Sequence, residues 1–241
     1  MFRPDGSGDL GIVKILVYPK QITTTFWAAS EEGDLVLVDW SAKPPPGAGG
    51  NAEEAAKFAE YVKKIYEGER NYRPIVALER SPFFDDMILT VHDFHFCIWK
   101  TSLTESNTPI FRSANTFGSH NTCGAFSPTR PGVIFITKTD GIDVWDFMDQ
   151  SNKPSLTLNF ATSAITYFKF QTGFKQDSKK QFMAYGDEAD GTLFLYEVPG
   201  SLKNGGENEL DNIEKFWQRE VQKCSDVVER REKQLEEFQE Q

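Results

Sequence analysis

Short β-rich apolar runs, each closed by a turn, recur along most of this chain. The clearest unit is SPTRPGVIFITKTDGIDVW, from Ser127 to Trp145. Ser-Pro opens it, residues 133–137 read as a strand, Asp140-Gly141 as a tight turn, and a second short strand ends on Trp145-Asp146. Ser81-Pro82 leads in the same way through MILTV to Cys97-Ile98-Trp99. Tyr18-Pro19 leads through FWAAS and a Glu32-Gly33 turn to Leu37-Val38-Asp39, and Phe168-Lys169-Phe170 through QFMAYG and an Asp190-Gly191 turn to Leu195-Tyr196. The steps between the equivalent residues Val38, Trp99, Trp145 and Tyr196 are all longer than the roughly 40–45 residues of a minimal four-stranded propeller blade, which leaves room for loops.

Taken in order, residues 1–10 are polar, Gly-rich and read as a flexible N-terminus. Residues 12–18, 23–29 and 34–40 read as three strands, with Gly33 supplying a positive φ at the turn between the last two. KPPPGAGG, residues 43–50, cannot continue a helix or a central strand. Ala55, Phe58, Ala59, Val62, Ile65 and Tyr66 then fall on one helical stripe, so residues 52–66 are expected as a helix capped by Asn51 and Glu54, inside an insertion over 41–72. The second repeat places strands at 75–78, 87–91 and 96–99, with His92-Asp93-Phe94-His95 where a turn glycine is usual, and an outer strand at 109–113. The fourth repeat starts at Ala164 and is interrupted by a polar stretch, 172–180. Residues 201–209 read as a linker and 210–241 as a charged C-terminal helix.

Self-similar short strands of this kind predict an all-β fold, a β-propeller with about four blades, followed by that helix. Four blades are few for this repeat type. The expectation is an incomplete propeller, the C-terminal part of a longer protein, whose first strand at 12–18 has an open edge.

Composition narrows the function. The chain has 241 residues, 39% of them hydrophobic, with 20 Phe, 5 Trp and 7 Tyr, enough for packed cores. Its 26 Lys and Arg against 36 Asp and Glu give a net charge of −10, which disfavours nucleic acid as a partner. Cys97, Cys123 and Cys224 form no disulfide framework, so a reducing compartment fits. No apolar run is long enough to span a membrane, and the N-terminus has no signal-peptide core.

Several quoted stretches resemble a known family. Trp145-Asp146, Val38-Asp39 and the acidic-Gly turns are similar to WD repeats, which makes the expected propeller one of WD40 type. RSPFFDDMILTV followed by Phe96-Cys97-Ile98-Trp99, SPTRPGVIFITKTDGIDVWDF, ASEEGDLVLVDW and the tail FWQREVQKCSDVVERREK together resemble axonemal dynein intermediate chains, in particular that of the two-headed inner-arm dynein. The resemblance implies a non-catalytic scaffold in the axoneme of a cilium or flagellum, with a cytoplasmic stage before assembly. Its implied partners are the dynein heavy chain and the other intermediate and light chains, with no cofactor, nucleic acid, membrane or small-molecule substrate. A generic cytoplasmic WD-repeat adaptor is the alternative.

Candidate chemistry is sparse. His92, His95 and Cys97 are metal-ligand types, but strand alternation sends His95 and Cys97 to one face and His92 away, short of a four-ligand site. Asp85-Asp86, Asp140 with Asp143, and Asp187-Glu188-Asp190 lack calcium-loop spacing and suit turns. A propeller enzyme using channel carboxylates is a third reading. No P-loop or nucleophile elbow is present. Candidate protein-contact residues are Ile213, Phe216, Trp217, Val221 and Val228, on the apolar stripe of the C-terminal helix, for which packing on the chain's own blades is the competing use.

Overall fold

A computed structural model describes residues 3, 8–18, 23–41, 61–66, 73–103, 106–116, 118–161, 163–171 and 180–239. Its β part is four antiparallel sheets in chain order. The first contains β1 (Ile12–Leu16), β2 (Thr25–Ser30), β3 (Leu35–Asp39) and β4 (Val62–Tyr66). The second contains β5 (Ile75–Arg80), β6 (Met87–His92), β7 (Phe96–Lys100) and β8 (Phe111–Arg112). The third contains β9 (Asn121–Phe126), β10 (Val133–Lys138), β11 (Gly141–Asp146) and β12 (Leu156–Asn159), and the fourth only β13 (Ile165–Phe170), β14 (Phe182–Asp187) and β15 (Leu193–Glu197). One helical turn, α1 (Gly200–Lys203), and a long helix, α2 (Glu209–Gln239), follow.

Each sheet is a meander, and the first strands lie side by side, β1 against β5, β5 against β9 and β9 against β13. Packing of that extent does not return from β13 to β1 among the described residues. The four sheets are copies down to their irregularities. Every first-to-second strand pair shifts register near the start of the first strand, between Ile12 and Lys14, Ile75 and Ala77, Asn121 and Cys123, and Ile165 and Tyr167. A bulge adds local twist, so its repetition gives each blade the same inner bend.

The Ser-Pro openings of the repeat have a matching physical reason. Ser81 and Ser127 are buried, and their backbone N–H groups donate to the carbonyls of Met87 and Val133, both at 2.9 Å. Their Oγ atoms accept from the N–H groups two and three residues on, Phe83 and Phe84 in one blade, Thr129 and Arg130 in the other. Each serine thereby satisfies the backbone of a turn that enters the second strand.

A blade is apolar on both faces, so the core is divided among the seams between sheets and a further cluster of the first sheet, Leu10, Ala28, Val36, Val38 and Val62. Trp27, Leu35, Tyr66, Ile88, Cys97 and Trp99 fill the first seam. Leu89, Phe96, Ile98, Ile134, Ile136, Trp145 and Phe147 fill the second, together with Ile213 and Trp217 of α2. Phe135, Val144, Phe168, Phe170 and Tyr185 fill the third. Gly124 is dictated by the second seam, since a Cβ there would stand 2.7 Å from Val91 Cγ2 and 2.9 Å from Ile136 Cδ1. Gly33 has φ +97° at its turn, as its position in the sequence predicts.

Two expectations change. The helix expected over 52–66 does not extend through its last turn, because Val62–Tyr66 is β4, hydrogen-bonded to β3 with Leu35 opposite Tyr66 and Val36 opposite Ile65. Pairing with the unoccupied side of β3 overrides the helical spacing of Val62, Ile65 and Tyr66. The first part of that helix, its Asn51 and Glu54 cap, and the proline run lie outside the described residues. The stretch read as a linker carries α1, and the long helix begins at Glu209, one residue before the expected span of 210–241.

Candidate interaction surfaces

α2 is seated on the blades by both packing and charge. Ile213 and Trp217 are buried; Trp217 lies 5.0 Å from Phe147 at 62° and 6.4 Å from Phe111 at 77°, and Phe216 rests 5.5 Å from Phe147. Val221 packs on the same cluster from its edge. At the start of the helix, Arg130 Nε–H donates to both carboxylate oxygens of Glu209, at 3.0 and 3.2 Å, while its Nη1 donates to the carbonyl of Ser201 at 3.1 Å and pairs with Asp146 at 2.9 Å. Glu209 also places an acid at the positive end of the helix. The Asp of the Trp145-Asp146 dipeptide thus holds the arginine that holds the helix. The sequence signals Asp146 through its motif, but a pairing between Arg130 and Glu209 has no local signature.

Of the five candidate contact residues, Ile213, Phe216, Trp217 and Val221 are therefore used against the chain's own blades. Val228 is 45% exposed, beside exposed Val227, and Phe238 further along is exposed as well. A groove of about 660 Å³ runs between this part of α2 and the loop after β7, lined by Leu103, Thr108, Val221, Cys224 and Val228.

His92, His95 and Cys97 all meet, contrary to the expectation from alternation along a single strand. Their donor atoms lie within 4.8 Å of one another, and all three are buried. The reason is the hairpin. The His92 N–H donates to the His95 carbonyl at 2.8 Å across the Asp93-Phe94 turn, and residues directly opposite in a ladder share a face. The two imidazoles are stacked, 4.4 Å apart and only 9° from parallel. Lone pairs in two stacked parallel planes do not converge on one ion. The nitrogens of His92 are also engaged. Trp99 Nε1–H donates to Thr90 Oγ1 at 2.9 Å, Thr90 Oγ1 lies 3.3 Å from His92 Nε2, and His92 Nδ1 lies 3.5 Å from the Arg73 carbonyl. In the chain Trp99 to Thr90 to His92 to Arg73, each hydroxyl and ring nitrogen has one role, which makes His92 the Nδ1–H tautomer. Burial lowers its pKa to about 4 and that of His95 to about 3, so both are neutral. The cluster works as an internal tie, with Gly33 of the first blade against the His92 ring.

Near the inner strands, Lys169 of β13 reaches past β9 to Glu79 of β5 at 2.9 Å. Burial raises the Glu79 carboxyl and the Cys123 thiol nearby, while the hydrogen bond to Glu79 raises Lys169. The pair ties the first strands β5 and β13 together across β9.

The last blade presents exposed apolar side chains. Leu193 and Leu195 of β15 are 66% and 68% exposed, and Tyr167 of β13 is exposed too. Between this blade and β12 lies a cavity of about 580 Å³, walled by Leu156, Leu158, Phe160, Tyr185, Phe194 and Tyr196. At the opposite end of the row, Val13, Ile15 and Val17 are exposed along β1. No described helix is long and apolar enough to cross a membrane.

The sequence profile of the family described as the dynein axonemal intermediate chain 3 WD40 domain matches residues 9–198, all four sheets. The chain belongs to the WD-repeat axonemal dynein intermediate chains. It is similar to dynein axonemal intermediate chain 3 of Mus musculus, 31% identical over 225 residues that make up 93% of this chain and 23% of the relative. The ciliary dynein intermediate chain 3 of Heliocidaris crassispina is 29% identical over 91% of this chain and 33% of its own length. The 70 kDa intermediate chain of the flagellar outer arm of Chlamydomonas reinhardtii is 29% identical over 82% of this chain and 31% of its own. This intermediate-chain domain thus spans about a quarter to a third of the length of those relatives. Its WD dipeptide and Ser-Pro turns carry defined structural tasks, the helix clamp and the backbone caps described above.

Proposed function

We propose that this chain is a non-catalytic scaffold subunit of a ciliary dynein, binding a heavy chain and other intermediate and light chains so that the motor is assembled and anchored on the axoneme. The observation that carries the reading is the family match across all four sheets. The names of the relatives, axonemal, ciliary and flagellar, support the location. Apolar side chains exposed among the described residues support the mode of action, a broad frame whose apolar faces and protruding helix end are contacts rather than reaction sites. The four sheets are read as part of a WD propeller whose exposed end faces, Val13 and Ile15 on one side and Tyr167 on the other, are covered in the assembled particle. A place in the two-headed inner arm rests on the resemblance of RSPFFDDMILTV and the C-terminal FWQREV segment. A cytoplasmic stage precedes incorporation.

The test is a tagged copy in a ciliated cell. It should stay with detergent-extracted axonemes and leave them with the heavy chains on salt extraction, and it should be missing from axonemes that lack inner arms. A tagged copy that is soluble throughout the cell and never retained by axonemes would sink the proposal in favour of a general adaptor.

A further inference from the structure

We propose that the groove between α2 and the turn after β11 binds an extended acidic segment of a partner polypeptide, with Asp or Glu at alternate positions and large apolar residues between them. The inference holds in whatever assembly the chain joins and does not rest on the scaffold reading.

α2 lies on the blades with one flank open. Ile213 and Trp217 are buried in the seam, and a groove of about 660 Å³ runs beside them, between the helix and Phe147-Met148. Its floor is apolar. Phe147 is buried and Phe216 rests on it at 5.5 Å. Met148 is 42% exposed although its backbone is held in a turn, its N–H donating to Asp146 Oδ1 at 3.0 Å. Methionine is unbranched and polarizable, a side chain that adapts to whatever packs on it.

The wall contributed by α2 is cationic. Lys215 and Arg219 line the groove one helical turn apart, and no carboxylate stands among the described residues of its lining. Asp149, Asp211, Glu214 and Glu220 are close in sequence but are not part of that lining. Further along the helix, Lys223 pairs with Glu220 and Lys233 with Glu229. Among the described residues, neither Lys215 nor Arg219 has such a partner. Like charges four residues apart repel each other and weaken a helix. An acidic ligand removes that repulsion, and the chain itself, with 36 Asp and Glu, leaves the two cations open to one.

Spacing defines the ligand further. Four residues of helix rise about 6 Å, and alternate residues of an extended chain stand about 6.6 Å apart on one side. Carboxylates at alternate positions therefore reach Lys215 and Arg219 together. The residues between them turn to the opposite side, toward Phe147 and Met148. Two cations are too few to hold a phosphate backbone, and the net charge of −10 opposes long polyanions. A short peptide meets mainly the local charge, because fields are screened beyond about 8 Å at physiological ionic strength.

The full 241-residue chain would be titrated against a fluorescein-labelled, end-capped peptide of seven residues, with anisotropy as the readout. The peptide carries glutamate at its odd positions and leucine or phenylalanine at the even ones. Saturable binding is expected, weakened by about tenfold or more when glutamine replaces every glutamate, and equally in the variant K215E/R219E. Both side chains are exposed, so the variant should keep the parent circular dichroism spectrum. It should also bind the counterpart peptide with lysine for glutamate, which the parent should not. Equal binding of the glutamate and glutamine peptides, equal binding by parent and variant, or no binding at all would overturn the proposal. So would a dimer by light scattering that the glutamate peptide does not dissociate, which would give the groove to a second copy. Phosphatidylserine vesicles bound more tightly than the peptide, and lost in the same variant, would overturn it in favour of a membrane surface.

Discussion

Tyr66 of β4 meets Trp99 of β7 edge-on, their ring centroids 6.0 Å apart and their planes at 78°. Phe111 of β8 meets Trp145 of β11 in the same way one blade later, at 6.5 Å and 74°. The outer strands of the first two sheets thus each supply an aromatic ring to the third-strand tryptophan of the next. Trp99 and Trp145 are both buried, so each contact lies in a seam between two sheets. A double-mutant cycle on Tyr66→Leu and Trp99→Leu, read by urea denaturation, should give a coupling of about 0.5–1.5 kcal/mol. Additive losses would mean that the two rings are neighbours without an energetic connection.

Thr90 is the hinge of the polar tie beneath that contact. It accepts from Trp99 Nε1 and serves His92 Nε2, both in fully buried surroundings. Thr90→Val keeps the shape and removes the hydroxyl, leaving a buried indole N–H and a ring nitrogen without partners. The expected loss is about 1–3 kcal/mol, while Thr90→Ser should recover most of it. A Val variant as stable as the parent would show that the network contributes nothing net.

Arg130 holds three partners at the base of α2 from a half-buried position. Removing one side of such a hydrogen-bonded charge pair costs on the order of 1–3 kcal/mol. Arg130→Met should therefore loosen the start of the helix, and amide exchange of residues 209–217 should quicken while β5 to β7 keep their protection. Uniform quickening across all sheets would instead make Arg130 part of the global core, not a local clamp.

Acid should act through the stacked histidines. Burial places His92 at about 4 and His95 at about 3, below the ordinary value of 6.5. The folded state therefore binds fewer protons than the unfolded chain. Their contribution is whole above pH 6.5 and is lost as pH falls from there through about 4 and about 3. Glu79, raised by burial, tilts the other way, so the comparison needs a variant. Urea midpoints between pH 6.5 and pH 4 should fall less steeply for H92Q/H95Q than for the parent. Parallel slopes would remove the histidines from the account.

The sequence makes the middle of each blade legible, and the structure shows why. The second and third strands form hairpins with local turns, so MILTV with FCIWK and VIFITK with GIDVW announce themselves through spacing alone. β9 does not, because NTCGAF carries a glycine forced by contact with Val91 and Ile136, and that lowers its strand signal. β4 and β12 are outer strands defined by a partner distant in sequence, and the first is also spaced like a helix. The apolar stripe of α2 is plain in the sequence. That its first half would bury against Phe147 and Phe111, leaving Val228 and Phe238 outward, depends on the seam between two blades and on Arg130. The meeting of His92 with His95 required the hairpin register, not the strand period.

The central claim is membership of a ciliary dynein particle, and sedimentation tests it most directly. A salt extract of cilia would be fractionated on a sucrose gradient and probed with an antibody to residues 201–241. The account predicts that the polypeptide sediments with dynein heavy chains and moves with them when the particle is dissociated and reassembled. A polypeptide that stays at the top of the gradient, apart from every heavy chain, would contradict it.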